Sequence, residues 1–130
     1  MMKHILLVDD QPHVIRLLRL CLEGDGYRID TASNGIEALQ RIRSSMPDVM
    51  ITDIQMPGMG GQELCQTLQL EFPQRDFLIL IMTSMTERDQ REWAKSLPNT
   101  EFLEKPLSPR RLTAQLKRHF SPDTPEMAHA

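Results

Sequence analysis

The sequence predicts one α/β domain, a parallel sheet of five strands with helices on both faces. Three observations carry this. Short aliphatic runs alternate five times with helical patterns of roughly ten to fourteen residues. Most of the runs are continuously apolar, as strands covered on both faces are. And acids close two of them: Asp9 and Asp10 end "HILLVDD", and Asp53 ends "DVMITD". Strands joined through helices run parallel by right-handed crossovers, so these carboxylates should emerge at one edge of one sheet.

Ile5–Val8 is the first strand. Pro12 to Glu23 follows with Val14, Leu17, Leu18, Cys21 and Leu22 at helical spacing, and Pro12 suits a first turn. Gly24-Asp25-Gly26 stops that helix. Tyr27, Ile29 and Thr31 alternate with Arg28, Asp30 and Ala32, which predicts a more exposed strand at a sheet edge. Ser33 or Asn34 can cap the second helix, with Ile36, Leu39 and Ile42 on its buried stripe, and Pro47 breaks it. Val49–Thr52 is the third strand, followed by the breaker-rich "MPGMGG". Gln62 to Glu71 is a third helix carrying Leu64, Cys65 and Leu68, with Phe72 beyond it. Phe77–Met82 is the most apolar run and the fourth strand. Thr86 to Leu97 reads as a polar fourth helix, Glu101–Leu103 as a short fifth strand, and Ser108 to Phe120 as a last helix. "SPDTPEMAHA", residues 121–130, reads as a disordered tail or the start of a linker, so the domain is expected to span 1–120.

Composition narrows the function classes. The chain has 130 residues, 40% hydrophobic and 25% charged, which suits one core. A net charge of -3 gives no global field to attract nucleic acid or an anionic membrane. The apolar runs are too short to span a bilayer, and the N-terminus meets acids where a secretory signal would need small residues. Cys21 and Cys65 form no metal-binding spacing. Two reduced thiols point to a reducing compartment, most simply the cytoplasm.

The strand tips gather the chemistry. The first offers Asp9 and Asp10; the third Asp53 and the backbone of Gln55; the fourth Thr83 and Ser84; the fifth Lys105, before Pro106. Three clustered carboxylates repel by roughly 4 kcal/mol per close pair at an effective dielectric near 20, so a cation is expected among them. Carboxylates and a carbonyl are hard oxygen ligands suited to Mg²⁺, with Mn²⁺ as the alternative. Lysine supplies a point charge and threonine a hydroxyl donor, which together describe a phosphoryl-transfer pocket.

The stretches "ILLVDDQP", "VMITDIQMPGMGG", "LILIMTS" and "FLEKPL" resemble, in order and spacing, the receiver domain of bacterial response regulators, over residues 3 to about 120. The resemblance implies a flavodoxin-like, doubly wound (βα)5 fold with strand order 2-1-3-4-5. It implies that Asp53 is the phosphoacceptor, attacking a phosphohistidine on a sensor histidine kinase or a histidine phosphotransfer protein. Asp10, Asp53 and the Gln55 carbonyl would ligate Mg²⁺, with Asp9 acting through a water in the metal's shell. Thr83 and Lys105 would hold the phosphoryl group. Phe102 stands where the family has its switch aromatic. Phosphorylation would bias the surface of the fourth helix, fifth strand and last helix, which could also form a homodimer. Output would pass to an effector protein or to a C-terminal output domain outside this chain. The protein would catalyse its own phosphorylation and dephosphorylation without turning over an external substrate.

The chain departs from the family pattern at several positions. Gln11 replaces the usual acid after the Asp pair, and Ser84 the usual alanine. Pro98-Asn99 replaces a Gly-Ala pair, so that loop should be stiffer. Phe102 lacks the hydroxyl of the common tyrosine. Gln55 and Met85 flank the expected water path and neither can act as a general base, so autodephosphorylation should be slow. Plainer readings stand beside these. Asp9 and Asp10 could cap a helix, Lys105 could be a solvated strand-end lysine, and Phe102 could be ordinary core. Trp93 suits a partner surface or simple packing equally. The basic residues Arg110, Arg111, Lys117 and Arg118 are by default a solvated face. Rival functions fit less well. A flavin phosphate would be repelled by "DDQPH", an aspartyl-phosphate hydrolase usually has an acid where Gln55 stands, and a never-phosphorylated pseudo-receiver would not need the full set of site residues.

Overall fold

Five strands and four helices follow one another along the residues described by the computed structural model, 2–84 and 92–121, alternating as far as the fourth strand. Their order is β1 (His4–Val8), α1 (Pro12–Gly24), β2 (Arg28–Ala32), α2 (Gly35–Ser44), β3 (Val49–Asp53), α3 (Gly61–Glu71), β4 (Leu78–Thr83), β5 (Thr100–Glu104) and α4 (Pro109–Phe120). The strands pair in parallel in the order β2-β1-β3-β4-β5, as the resemblance implied. β1, β3 and β4 are buried along their whole length, as the continuous apolar runs required. β2 lies at an edge and exposes more of itself.

The sheet divides the core into two layers. On one side Leu6, Val8, Met50, Ile79 and Ile81 meet Leu39 and Ile42 of α2 and Leu64, Cys65 and Leu68 of α3. On the other, Ile5, Leu7, Ile51 and Leu80 meet Leu18 and Leu22 of α1 and Leu112 and Leu116 of α4. Successive strand residues point to opposite faces, so one aliphatic run feeds both layers. No described helix is long and apolar enough to cross a membrane.

Local signals placed the ends well. Asn34 caps α2 by accepting from the Glu37 amide at 2.9 Å, and Ser108 caps α4 by accepting from the Arg111 amide at 3.3 Å. Gly26, at φ 91, provides the left-handed turn after α1. One expectation fails: Ile36 is 55% exposed and is not on the buried stripe of α2. The buried residues are Gly35, Ala38, Leu39 and Ile42. At about 100° per residue these cluster on one face, and Ile36 lies roughly a quarter-turn or more away from its centre. The helix expected over Thr86 to Leu97 falls largely outside the described residues; within them Glu92–Ala94 forms a single 3₁₀ turn. Of the expected tail only Ser121 is described.

Candidate functional site

The register of the sheet assembles the site. Val8 pairs with Ala32 on one side and Thr52 on the other, so Asp9 and Asp53, one residue further along, emerge level with each other. Asp53 pairs with Met82, which puts Thr83 one step further toward the same edge. Thr83 pairs with Glu104, and Lys105 follows. The Lys105 amide then donates to the Thr83 carbonyl at 2.7 Å, joining the last two tips. The Lys105–Pro106 bond is cis.

Asp9, Asp10 and Asp53 meet, each with a carboxylate oxygen within 4.8 Å of the others. Asp9 and Asp53 are buried and Asp10 is exposed, so the cluster opens to solvent on the Asp10 side. A groove of about 390 Å³ continues there, lined by Ile15, Arg16, Arg19 and Ser33 among others. Asp53 Oδ1 accepts from the Ile54 amide at 2.8 Å and from Lys105 Nζ at 3.0 Å. Asp9 Oδ1 accepts from the Gln11 amide at 2.9 Å. Burial pushes the Asp9 carboxyl up from its ordinary range. Asp53 and Asp10 add to the shift, while the Gln11 amide and Lys105 oppose it. Burial therefore does most of the raising, and the two neighbouring carboxylates add to it.

The loop after β3 is held close to the site. A Cβ on Gly61 would stand 2.2 Å from the Asp53 carbonyl oxygen and 2.9 Å from Ile54 Cα, so only glycine lets α3 begin there. The Gly61 amide donates to the Ile54 carbonyl at 2.7 Å, and the Gly35 amide to the Met59 carbonyl at 2.8 Å. The second contact ties the start of α2 to the same loop.

The strand tips therefore bring together Asp9, Asp10, Asp53, Thr83 and Lys105. Gln55 is exposed two residues beyond Asp53. Phe102 is half-buried and packs against the core layer that contains Leu64 and Ile81. Ser84 is half-buried, and Met85 lies outside the described residues. Three hard oxygen donors beside one lysine suit a divalent cation such as Mg²⁺ better than a soft metal. Sequence reasoning missed Arg75, a buried guanidinium, and the His4–Asp30 pair at the opposite sheet edge, 2.6 Å apart. Neither has a periodic signal, since each depends on where its loop or strand end comes to rest.

Residues 5–117 match the family model for the response regulator receiver domain. This chain belongs to that family. Receiver domains are signalling switches and not enzymes that turn over an external substrate. Among curated relatives, the chain is 36% identical over 117 residues to the alkaline phosphatase synthesis transcriptional regulatory protein PhoP of Bacillus subtilis, covering 90% of this chain and 48% of that protein. It is 31% identical to the phosphate regulon transcriptional regulatory protein PhoB of Rhizobium meliloti, covering 98% of this chain and 56% of that one. The chain spans about half the length of the curated relatives it matches. Among solved receiver structures, the chemotaxis response regulator CheY4 of Vibrio cholerae superposes with a TM-score of 0.82 at 30% identity, covering 91% of this chain and 98% of that one. The signal receiver domain of a signal transduction histidine kinase from Syntrophus aciditrophicus gives 0.83 at 28% identity, covering 94% of this chain and 92% of that one.

Proposed function

We propose that this receiver domain is a phosphorylation-activated switch whose phosphoacceptor is Asp53. The observation that carries the reading is the Asp53 carboxylate itself: buried, held at Oδ1 by the Ile54 amide and Lys105, and clustered with Asp9 and Asp10. Neither contact engages Oδ2, which is available to attack the phosphorus of a phosphohistidine. The P–N bond breaks, the imidazole leaves, and an aspartyl phosphate forms. The new group brings a charge of roughly -1.5 to -2 into an acidic pocket. Lys105 releases Asp53 Oδ1 and turns to a phosphoryl oxygen, and the Thr83 hydroxyl donates to another. Asp10, Asp53 and the Gln55 carbonyl would hold Mg²⁺, or Mn²⁺ in its place, with Asp9 one water further out. The cation supplies positive charge against the carboxylates and the incoming phosphoryl group.

The donor is a sensor histidine kinase or a histidine phosphotransfer protein, and the reaction takes place in the cytoplasm. Modification biases the surface made by β5, α4 and the sequence between β4 and β5, with Phe102 following Thr83 inward. That is a shift between two populations, so a fraction of active conformer exists without phosphate. Output passes to an effector protein or an output domain, with no direct nucleic-acid contact from this domain, and the same surface can pair two copies. Residues 1–120 form the working unit.

Incubation with acetyl phosphate tests this, read by intact mass with Mg²⁺ present and again with a chelator. The expected result is one added phosphoryl group with Mg²⁺ and none with chelator. A chain that stays unmodified in donor excess with Mg²⁺ would instead be a pseudo-receiver, acting only as a protein-interaction module.

A further inference from the structure

β5 is an edge strand. It pairs with β4 alone, and only Leu103 of its five residues is buried. A strand with one ladder and little buried area has a weakly specified register unless something else fixes it. Yet β5 carries Phe102 and delivers Lys105 to Asp53. Its site end is tied by the Lys105 amide on the Thr83 carbonyl and by Nζ on Asp53.

Its other end is tied by a side chain that the site does not use. Arg75, in the connection between α3 and β4, is only 9% exposed. Nη1 donates to the Phe77 carbonyl at 2.7 Å. Nη2 donates to the Pro98 carbonyl at 2.6 Å and to Thr100 Oγ1 at 3.3 Å. The guanidinium also lies 5.2 Å from the Phe77 ring centre. Asn99, in the left-handed region at φ 49, reinforces the junction. Its Nδ2 donates to the Asp76 carbonyl at 3.2 Å, and its carbonyl accepts from the Ile79 amide at 2.9 Å.

Among the described residues Arg75 makes no ion pair with a carboxylate, and its Nε is buried without a hydrogen-bond partner. A buried charge compensated by two carbonyls, one hydroxyl and a ring face is an expensive way to fill space, and an apolar side chain of similar volume would do that more cheaply. What arginine adds is a rigid fork that reaches two chain segments at once. One prong grips the approach to β4, and the other grips the residues that open β5.

We propose that Arg75 is the far anchor of β5, a positioning residue that fixes where the strand begins and therefore where Lys105 ends it. Five residue steps lead from Thr100 to Lys105, about 16 Å along an extended strand. The anchor acts through register, since the hydrogen bonds of Arg75 go to Phe77, Pro98 and Thr100 and not to Asp53 or Lys105. With Thr100 held, β5 answers a change at Asp53 by pivoting at its far end; without the anchor it slides or frays from Thr100, and Lys105 leaves Asp53 part of the time. The inference rests on Asp53 being the phosphoacceptor, because Lys105 acts through that residue.

Backbone hydrogen exchange on the whole unphosphorylated chain tests the anchor independently of any phosphorylation. In Arg75→Met, protection of the β5 amides should fall at least tenfold while β1 and β3 keep wild-type protection. Arg75→Lys, which keeps the charge but loses the fork, should fall in between. Asn99→Gly suits the left-handed backbone and removes only the Asp76 contact, and should give a smaller loss confined to β5. The second arm is the rate of acetyl phosphate labelling with Mg²⁺. At saturating donor it should fall about threefold or more in Arg75→Met, with the half-saturating donor concentration unchanged, because positioning changes and donor access does not. Unchanged β5 protection, equal loss in every strand, or an unchanged labelling rate would each overturn the proposal. Should Arg75→Met fail to fold, wild-type β5 protection in both Arg75→Lys and Asn99→Gly would overturn it equally. A wild-type chain that takes no phosphate would defeat the Asp53 reading while leaving the exchange result intact.

Discussion

Lys105 Nζ stands 3.0 Å from Asp53 Oδ1, although 52 positions separate the two residues in sequence. The contact spans the tips of β3 and β5 with β4 between them, so the sheet order alone brings the pair together. It places the one described lysine of the site against a carboxylate oxygen that also accepts the Ile54 amide.

Lys105→Ala should separate stability from function. The lysine side chain is more than a third exposed, so its loss should cost no more than about 1 kcal/mol of folding free energy. Labelling by acetyl phosphate should slow at least about tenfold, which raises the barrier by roughly 1.4 kcal/mol. Thermal melts and labelling rates on the same preparation check both halves.

Asp9→Asn should stabilise the metal-free protein at neutral pH. Burial and the neighbouring Asp53 and Asp10 hold the Asp9 carboxyl above its ordinary range, so the folded chain keeps this proton more tightly than the unfolded chain does. Stability linked to Asp9 is therefore fully present below the ordinary carboxylate value and lost as pH rises through the raised folded value. The asparagine variant should be the more stable of the two near pH 7, because it removes a charge that burial penalises and that Asp53 and Asp10 repel. Its stability should also vary less between about pH 4 and pH 7. Mg²⁺ should raise the melting temperature of wild type more than that of the variant.

Gly61→Ala should be costly and Gly24→Ala should not. A methyl at Gly61 meets the Asp53 and Ile54 backbone, so α3 or the β3 tip must shift; a loss of about 2–4 kcal/mol is expected, together with slower labelling. A methyl at Gly24 meets nothing within 4 Å, and the helical end should gain up to about 1 kcal/mol. Urea melts of the two variants side by side measure the contrast.

The two thiols should differ in reactivity. Cys65 is fully buried, and burial pushes its thiol up to about 12, with Arg75 opposing. Cys21 is half-buried on α1. At about pH 8, native labelling should modify Cys21 alone, with Cys65 reacting only after denaturation. Equal labelling of both in the native state would contradict the packing of α3 on the sheet.

Most of this fold was legible because its strands are short, continuously apolar and closed by chemistry-bearing residues. Val49–Thr52 could be read as a buried strand from its continuous apolar run, and Asp9 and Asp53 were then expected to emerge at the same sheet edge. Ile36 misled because a spacing of three residues suits a helical stripe only when its neighbours fall on the same side, and here Ala38 and Leu39 define the face. Arg75 was illegible for a different reason. "PQRDF" reads as a solvated connection, and nothing in it shows that the guanidinium turns inward to grip Pro98 and Thr100. The bonds that hold the Pro98-Asn99 junction each cross 23 positions of sequence, beyond the reach of any local pattern.

Everything proposed for this domain turns on whether Asp53 accepts the phosphoryl group. Intact mass decides it on wild type and Asp53→Asn, each treated with excess acetyl phosphate and Mg²⁺. One phosphoryl adduct is expected on wild type and none on Asp53→Asn. An equal adduct on both would contradict it and place the acceptor elsewhere in the chain.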